Sequence, residues 1–579
     1  MKNKKLLLIV IAVIIGYYGF NGVVESKKSA HFIVDSCTSG FIDALPNYSK
    51  VVESFFSTGS ITKEFIHSNY PPLYQLESAL IIHAIGNSWQ LLNFVHNGFY
   101  LALLIVFIYL LGALIADRRA GIIAAVIISL YPLTYAAFNK YCIDFPLMAI
   151  VTMNIYFLVK SDYFTDTRWS ILVGLAFCYG MLMKEPYGAF MIGPFLWGGQ
   201  KAIYDAGEKH CYKKLFNLLI CGCVVYCILF VLTHYYRDNL TWKLYGRLIE
   251  ENAGNGLFSL KNLRLFTAGW WESILSPPFF LLLIPCIYYA FRKINSDIKV
   301  LFLLWIGIPT IIVWGMPHWN TARHLLPALP ACALITAVGL STIYNRKWGK
   351  VILGLIVVMG IAQYYMFKYD LLGISAFSYH GFKYFQTGEA LQVSLPADKR
   401  QSMRLEQTAQ AVHSILRDEY GVSFREKKYH MLFICSTGDW GYGFQCIMGP
   451  YLWYKYDLDV TMVRSCEFCD ALIERSGSIG GIDFVLYENR IDADPNPDPD
   501  PLTFQMIKDN WIKINTGVRN DQEINPKKKY DWDSAAMRWD TFIASLDFHG
   551  VVARDADFIT TLYTRKKSVV GKNDLLKNH

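Results

Sequence analysis

The stretch LLNFVHNGFYLALLIVFIYLLGALIADRR, residues 91–119, decides the fold. From Leu91 to Ala116 no Asp, Glu, Lys or Arg interrupts it, and about 20 such residues suffice to cross a bilayer as a helix. It closes on Asp117, Arg118 and Arg119, and a basic cluster directly after an apolar run marks a cytoplasmic turn. The stretch therefore predicts a membrane span that starts on the outer side and ends inside.

Working outward, similar apolar runs recur from Leu6 to Lys368, whereas 369–579 is charged, turn-rich and holds no run of crossing length. The composition agrees: 53% of the 579 residues are hydrophobic and 15% aromatic, more apolar surface than one soluble core would hide. Spans are expected over the first twenty residues, then at 91–116, 120–138, 146–159, 170–183, 189–198 with flanks, 215–235, 278–291, 300–315, 325–344 and 351–367. That makes about eleven, allowing for tilt. Lys2, Lys4 and Lys5 precede the first run without a convincing cleavage site, so a retained helix with a cytoplasmic N-terminus is expected rather than a secretory signal. This threading puts every basic cluster inside: Arg118-Arg119, 160–168, 201–214, Arg292-Lys293 and Arg346-Lys347. The formal charge of +8 is thus a topology signal, and the scattering of its cations excludes a nucleic-acid face. Nine of the thirteen cysteines fall before Tyr369 without metal-like spacing and read as small hydrophobes.

The outer side then comprises 24–90, 139–145, the Lys184 turn, 236–276, 316–324 and the whole of 369–579. Residues 73–85 carry Gln75, Glu77 and His83, and counting them as a span would push Arg118 and Arg119 outside. An interfacial helix fits them better. The first outer segment gathers Asp35, Asp43, Glu53, Glu64, His67 and Tyr70 ahead of Pro71-Pro72, whose rings hold the chain extended before that helix. Asp144 stands at the outer mouth of the next helix, where a helix cap and a functional acid are equally good accounts. The aromatic loop 236–276, with Trp242, Tyr245, Trp270 and Trp271, either covers an acceptor groove or anchors helices at the interface.

Several segments share an order that resembles a known family: Asp43 with Tyr48, Tyr70-Pro71-Pro72-Leu73-Tyr74, Ala120 to Ala125 leading to Tyr131-Pro132, Asp144, Gly174-Leu175-Ala176 before Met183-Lys184-Glu185-Pro186-Tyr187-Gly188, and Arg323-His324-Leu325-Leu326-Pro327. Together they look like the protein O-mannosyltransferase and aminoarabinose-transferase branch of the GT-C membrane glycosyltransferases. The resemblance implies a polyprenyl-phosphate-sugar donor, an outward-facing active site and inversion at the anomeric carbon. Asp43 maps onto the family's first-loop acid, the general base, with Asp35 the other candidate, and Asp144 onto the second-loop acid that supports it. Tyr48, His67 and Tyr70 would line the substrate pocket. A departing lipid phosphate gathers negative charge, so Lys184 and Arg323, with His324 beside them, would stabilise it; the alternative is that they are snorkelling interfacial cations. Two departures stand out. Ala44 replaces the second acid of an Asp-Glu pair, and Asn69-Tyr70 occupies the place of a Glu-Lys pair before the prolines, which argues against aminoarabinose transfer.

The fold class expected is a polytopic α-helical membrane protein of GT-C type over 1–368, with an extracytoplasmic α/β domain over 369–579. In the latter, 404–420 has helical spacing, 430–435 and 482–487 read as strands, and the Asp-Pro run 492–501 as a solvated loop. Cys466 and Cys469 form a single CxxC, for which a disulfide is favoured outside the cytoplasm, with zinc and free thiols the alternatives. The expected function is inverting transfer of a sugar from a polyprenyl-phosphate carrier in the cell membrane to an extracytoplasmic protein, lipid or glycan. No cofactor is demanded and a divalent metal is left open. The alternative is a transporter or glycolipid flippase, which would place ionisable groups at mid-membrane in broken, repeated helices.

Overall fold

The computed structural model describes residues 9–21, 45–59, 71–86, 89–138, 141, 143–184, 186–208, 212–235, 270–315, 322–344, 347–368, 378–379, 382–383, 401–420, 429–435, 452, 456, 458, 460–463, 484–490, 546–554 and 558–565. The chain divides into two compact units, Met1–Ala30 with Asn47–Pro396, and His31–Pro46 with Ala397–His579.

The first unit is helical. In chain order its helices are α1 (Ile9–Asn21), α2 (Leu45–Thr58), α3 (Leu73–Ile85), α4 (Trp89–Ile115), α5 (Arg118–Leu130), α6 (Pro132–Phe138), α7 (Asp144–Lys160), α8 (Thr167–Met183), α9 (Tyr187–Glu208), α10 (Tyr212–Tyr235), α11 (Pro277–Lys293), α12 (Ser296–Gly315), α13 (Leu329–Ile343) and α14 (Lys347–Lys368). A π-helical turn, Trp270–Ile274, precedes α11, and a 3₁₀ segment, Ala322–Ala328, leads into α13. A short pair, β1 (Ser378–Tyr379) and β2 (Phe382–Lys383), ends the unit's described elements.

Among the described residues three stretches are long and apolar enough to cross a membrane: Leu91–Ile115, Ser296–Val313 and Arg323–Ile343. The last is 89% buried inside the protein, so it forms the centre of the bundle rather than a lipid-facing wall. The stretch expected as one span over 120–138 is broken. Tyr131 is extended (φ −67°, ψ 133°), and α5 and α6 meet at 66°. Proline cannot donate its missing N–H and forces the preceding residue out of the helical region, so Pro132 ends one helix and starts another. Conversely, the helix expected over 189–198 runs on to Glu208 past two glycines.

Packing of α4 on α5 depends on glycine. A Cβ on Gly112 would lie 2.7 Å from the Gly121 Cα, and one on Gly121 2.4 Å from the Tyr109 carbonyl oxygen, so the two backbones touch as small residues permit in membrane bundles. At one end of the bundle the polar groups pair with one another: Lys293 with Asp117 (2.6 Å), Lys201 with Asp297, Lys214 with Asp205 (2.7 Å), and Arg119 over the Tyr344 ring. These residues all come from turns that the charge pattern assigns to one side. The opposite ends of α7 and α8 carry the candidate site.

The second unit contains α15 (Gln401–Tyr420) and a mixed five-stranded sheet. Its strands are β3 (Tyr429–Cys435), β4 (Val460–Val463), β5 (Phe484–Arg490), β6 (Leu546–Arg554) and β7 (Phe558–Arg565), in the order β4-β3-β5-β7-β6. Strand β3 runs parallel to β4 and β5, whereas β7 is antiparallel to β5 and β6. Cys466 and Cys469, for which a disulfide is expected, lie outside the described residues.

Candidate functional site

Asp144 is the first residue of α7, with Ile143 in the cap position, so its carboxylate sits in the first turn where the helix dipole favours negative charge. Its side chain is 4% exposed, and Oδ1 accepts a 2.6 Å hydrogen bond from the Nζ of Lys184, itself 8% exposed. Arg323 approaches the other oxygen, Nε to Oδ2 3.8 Å. His324 lies within electrostatic reach of Asp144, Lys184 and Arg323. Four residues from three separate turns thus converge. The cap expected on sequence is not met, since Ile143 holds that position without a side-chain cap bond; the Asp144 carboxylate lies one residue further, in the first turn, at the centre of a charge cluster.

Each partner is held by a local reason. Lys184 caps the C-terminus of α8 in an extended conformation, its N–H donating to the Gly180 carbonyl at 3.0 Å. The chain then folds back, the Tyr187 N–H donating to the Lys184 carbonyl at 3.1 Å. Tyr187 is wholly buried, and its hydroxyl accepts from Asn154 Nδ2 at 2.6 Å. Its ring lies directly on Gly180, where an added Cβ would come within 2.3 Å of Cε2, so only glycine lets the turn close this way. Arg323 and His324 belong to the 3₁₀ segment, which packs on α7 and is pinned by Trp305 Nε1 donating to the Pro327 carbonyl at 3.0 Å.

Burying an ion costs several kcal/mol, offset only by close pairing. One carboxylate thus lies against two cations in a largely buried setting, and such cations can meet an anionic group. Tyr48 is buried on α2; Asp43, His67 and Tyr70 lie outside the described residues. Among the described residues no three His, Cys, Asp or Glu side chains gather as a metal site would require. Gly180, Asn154 and Tyr187 were not singled out from the sequence as supports. An Asn in an otherwise apolar helix, expected to need a partner, is the signal that could have found them.

The family model for dolichyl-phosphate-mannose-protein mannosyltransferase matches residues 70–236, which include Asp144 and Lys184. No curated protein sequence matches the chain. Among solved structures, ArnT from Cupriavidus metallidurans bound to undecaprenyl phosphate superposes with a TM-score of 0.53 at 11% identity, over 96% of this chain and 97% of that one. Its apo state gives 0.54 at 11% identity, over 97% and 98%. The archaeal oligosaccharyltransferase AglB from Archaeoglobus fulgidus, in complex with an inhibitory peptide and a dolichol-phosphate, has a TM-score of 0.45 at 12% identity, over 84% and 69%. The chain therefore has the GT-C glycosyltransferase fold, and over residues 70–236 it resembles the protein-mannosyltransferase branch of those enzymes.

Proposed function

We propose that this protein is an inverting glycosyltransferase of the cell membrane that moves a sugar from a polyprenyl-phosphate carrier to an extracytoplasmic acceptor. The observation that carries the reading is the buried Asp144–Lys184 pair with Arg323 3.8 Å away, two cations gathered on one carboxylate. That a fold neighbour was solved with undecaprenyl phosphate supports a lipid phosphate as the anion.

In this reading residues 1–368 form the catalytic membrane domain, N-terminus inside, and 369–579 an extracytoplasmic domain. Lys184, Arg323 and His324 hold the carrier phosphate. The acceptor hydroxyl attacks the anomeric carbon from the face opposite that phosphate. Its proton passes to Asp43, the new bond forms from oxygen to carbon, and the old carbon–oxygen bond breaks with its electron pair leaving on the phosphate. The cations meet charge where it develops, which is the condition for lowering the barrier. Asp144 orients Lys184 and Arg323, and Tyr48, His67 and Tyr70 shape the sugar and acceptor pocket.

The test is transfer by purified Asp43→Asn, supplied with polyprenyl-phosphate sugars and acceptors extracted from the cell's own envelope. General-base assistance contributes roughly a hundredfold to ten-thousandfold, so transfer should fall by that factor while undecaprenyl phosphate still binds. Near wild-type transfer would overturn the role of Asp43, and Asp35 would be tested next.

A further inference from the structure

A second, half-buried polar cluster centres on Glu77 of α3. Glu77 accepts a hydrogen bond on Oε2 from the Tyr100 hydroxyl at 2.6 Å and one on Oε1 from the Tyr179 hydroxyl. His96 Nε2 lies 3.0 Å from Oε2, and the two phenol oxygens are 2.7 Å apart. His96 and Tyr100 stand one turn apart on α4, and Tyr179 stands on α8. One residue along α3, Ser78 accepts from the Tyr141 hydroxyl at 2.7 Å and donates to the Tyr74 carbonyl at 2.8 Å, with the Tyr74 and Tyr141 rings 4.8 Å apart.

The placement of the two tyrosines is what matters. Tyr179 precedes Lys184 by five residues on the same helix end, and Tyr141 precedes Asp144 by three. The short helix α3 therefore grips both segments that terminate in the buried ion pair. Apolar packing alone would leave α8 free to rotate by small angles about its axis, whereas a carboxylate with directional phenol partners fixes that rotation. Displacement of a charged group by about 1 Å is enough to cost much of its contribution at a binding or reacting centre.

We infer that Glu77 is a positioning residue for the proposed lipid-phosphate site, holding α8 in the rotation that presents Lys184 to Asp144. This rests on the function proposed above. The experiment uses the full-length protein in detergent with undecaprenyl phosphate itself as probe, and measures its Kd alongside thermal unfolding. Glu77→Gln and Tyr179→Phe each remove one element of the tie while keeping shape, and each should weaken binding roughly threefold to thirtyfold, as residues acting through an intermediary do. A helix staple without a link to Lys184 would act equally in any background, so the deciding measurement is a double-mutant cycle. In a Lys184→Met background, Glu77→Gln should change the Kd less than about twofold. Equal losses in both backgrounds, or unchanged affinity in folded Glu77→Gln and Tyr179→Phe, would overturn the inference. Unchanged affinity in Lys184→Met would overturn the lipid-phosphate reading as well, which separates the two failures.

Discussion

Replacing Lys184 by Met tests the charge cluster most directly. Met keeps the apolar stem and removes the ammonium, leaving the Asp144 carboxylate buried and facing Arg323 at 3.8 Å. Breaking a buried pair by removing one partner costs about 3 to 5 kcal/mol, because the remaining charge keeps its desolvation penalty. Arg323 still offers partial compensation, so the loss should be near the lower end, about 3 kcal/mol. In the double variant Asp144→Asn/Lys184→Met no uncompensated carboxylate remains, and at least about 1 kcal/mol should return, since neutral replacements of buried pairs are often tolerated. Binding behaves differently. A charge-assisted contact to phosphate is worth about 1.5 to 3 kcal/mol, so affinity for undecaprenyl phosphate should fall roughly tenfold to a hundredfold in the single and the double variant alike. Thermal unfolding in detergent reads the first effect, and lipid-phosphate titration the second. A single variant as stable as the wild type, or a double variant less stable than the single, would refute the account of the pair.

Two further outcomes are expected. Gly180→Ala should destabilise by about 1 to 3 kcal/mol, because its methyl would meet a Tyr187 ring already fixed by Asn154 at 2.6 Å; an unaltered melting temperature would show that the turn relaxes freely. A reporter that works only outside the cytoplasm should be active when fused after Tyr369 and silent in the turn after Glu208, and the reverse pattern would invert the proposed threading.

The spans were legible wherever an apolar run was long and unbroken. The sequence reading of 91–116 falls within two residues of α4 at each end, since nothing but length and hydrophobicity is needed there. It did not show the bend within 120–138, where one proline interrupts the apolar run, nor how far the flanks of 189–198 extend, since that helix continues through glycines. Asp144, Lys184 and Arg323 were visible because ionised groups at the ends of apolar helices are costly and demand a reason. Their mutual contact was not, because it joins residues 40 apart in sequence for the first pair and far more for Arg323. Glu77 and Tyr179 were illegible as partners. A tyrosine in an apolar run reads as an interfacial aromatic, and only the three-dimensional approach of α3 to α8 gives its hydroxyl a carboxylate.

The break between α5 and α6 has a bearing on how the protein is made. Ending a helix inside the bundle strands carbonyl groups, and the one on Ser129 is satisfied at 2.6 Å by the hydroxyl of Tyr18, 111 residues earlier, on α1. The Tyr18 ring also meets Phe138 at 4.7 Å, so α1 fits the angle between the two halves. Because Tyr18 is synthesised 111 residues before Ser129, this bond closes only once α5 has joined α1, so the break in the later span is completed by a helix made well before it.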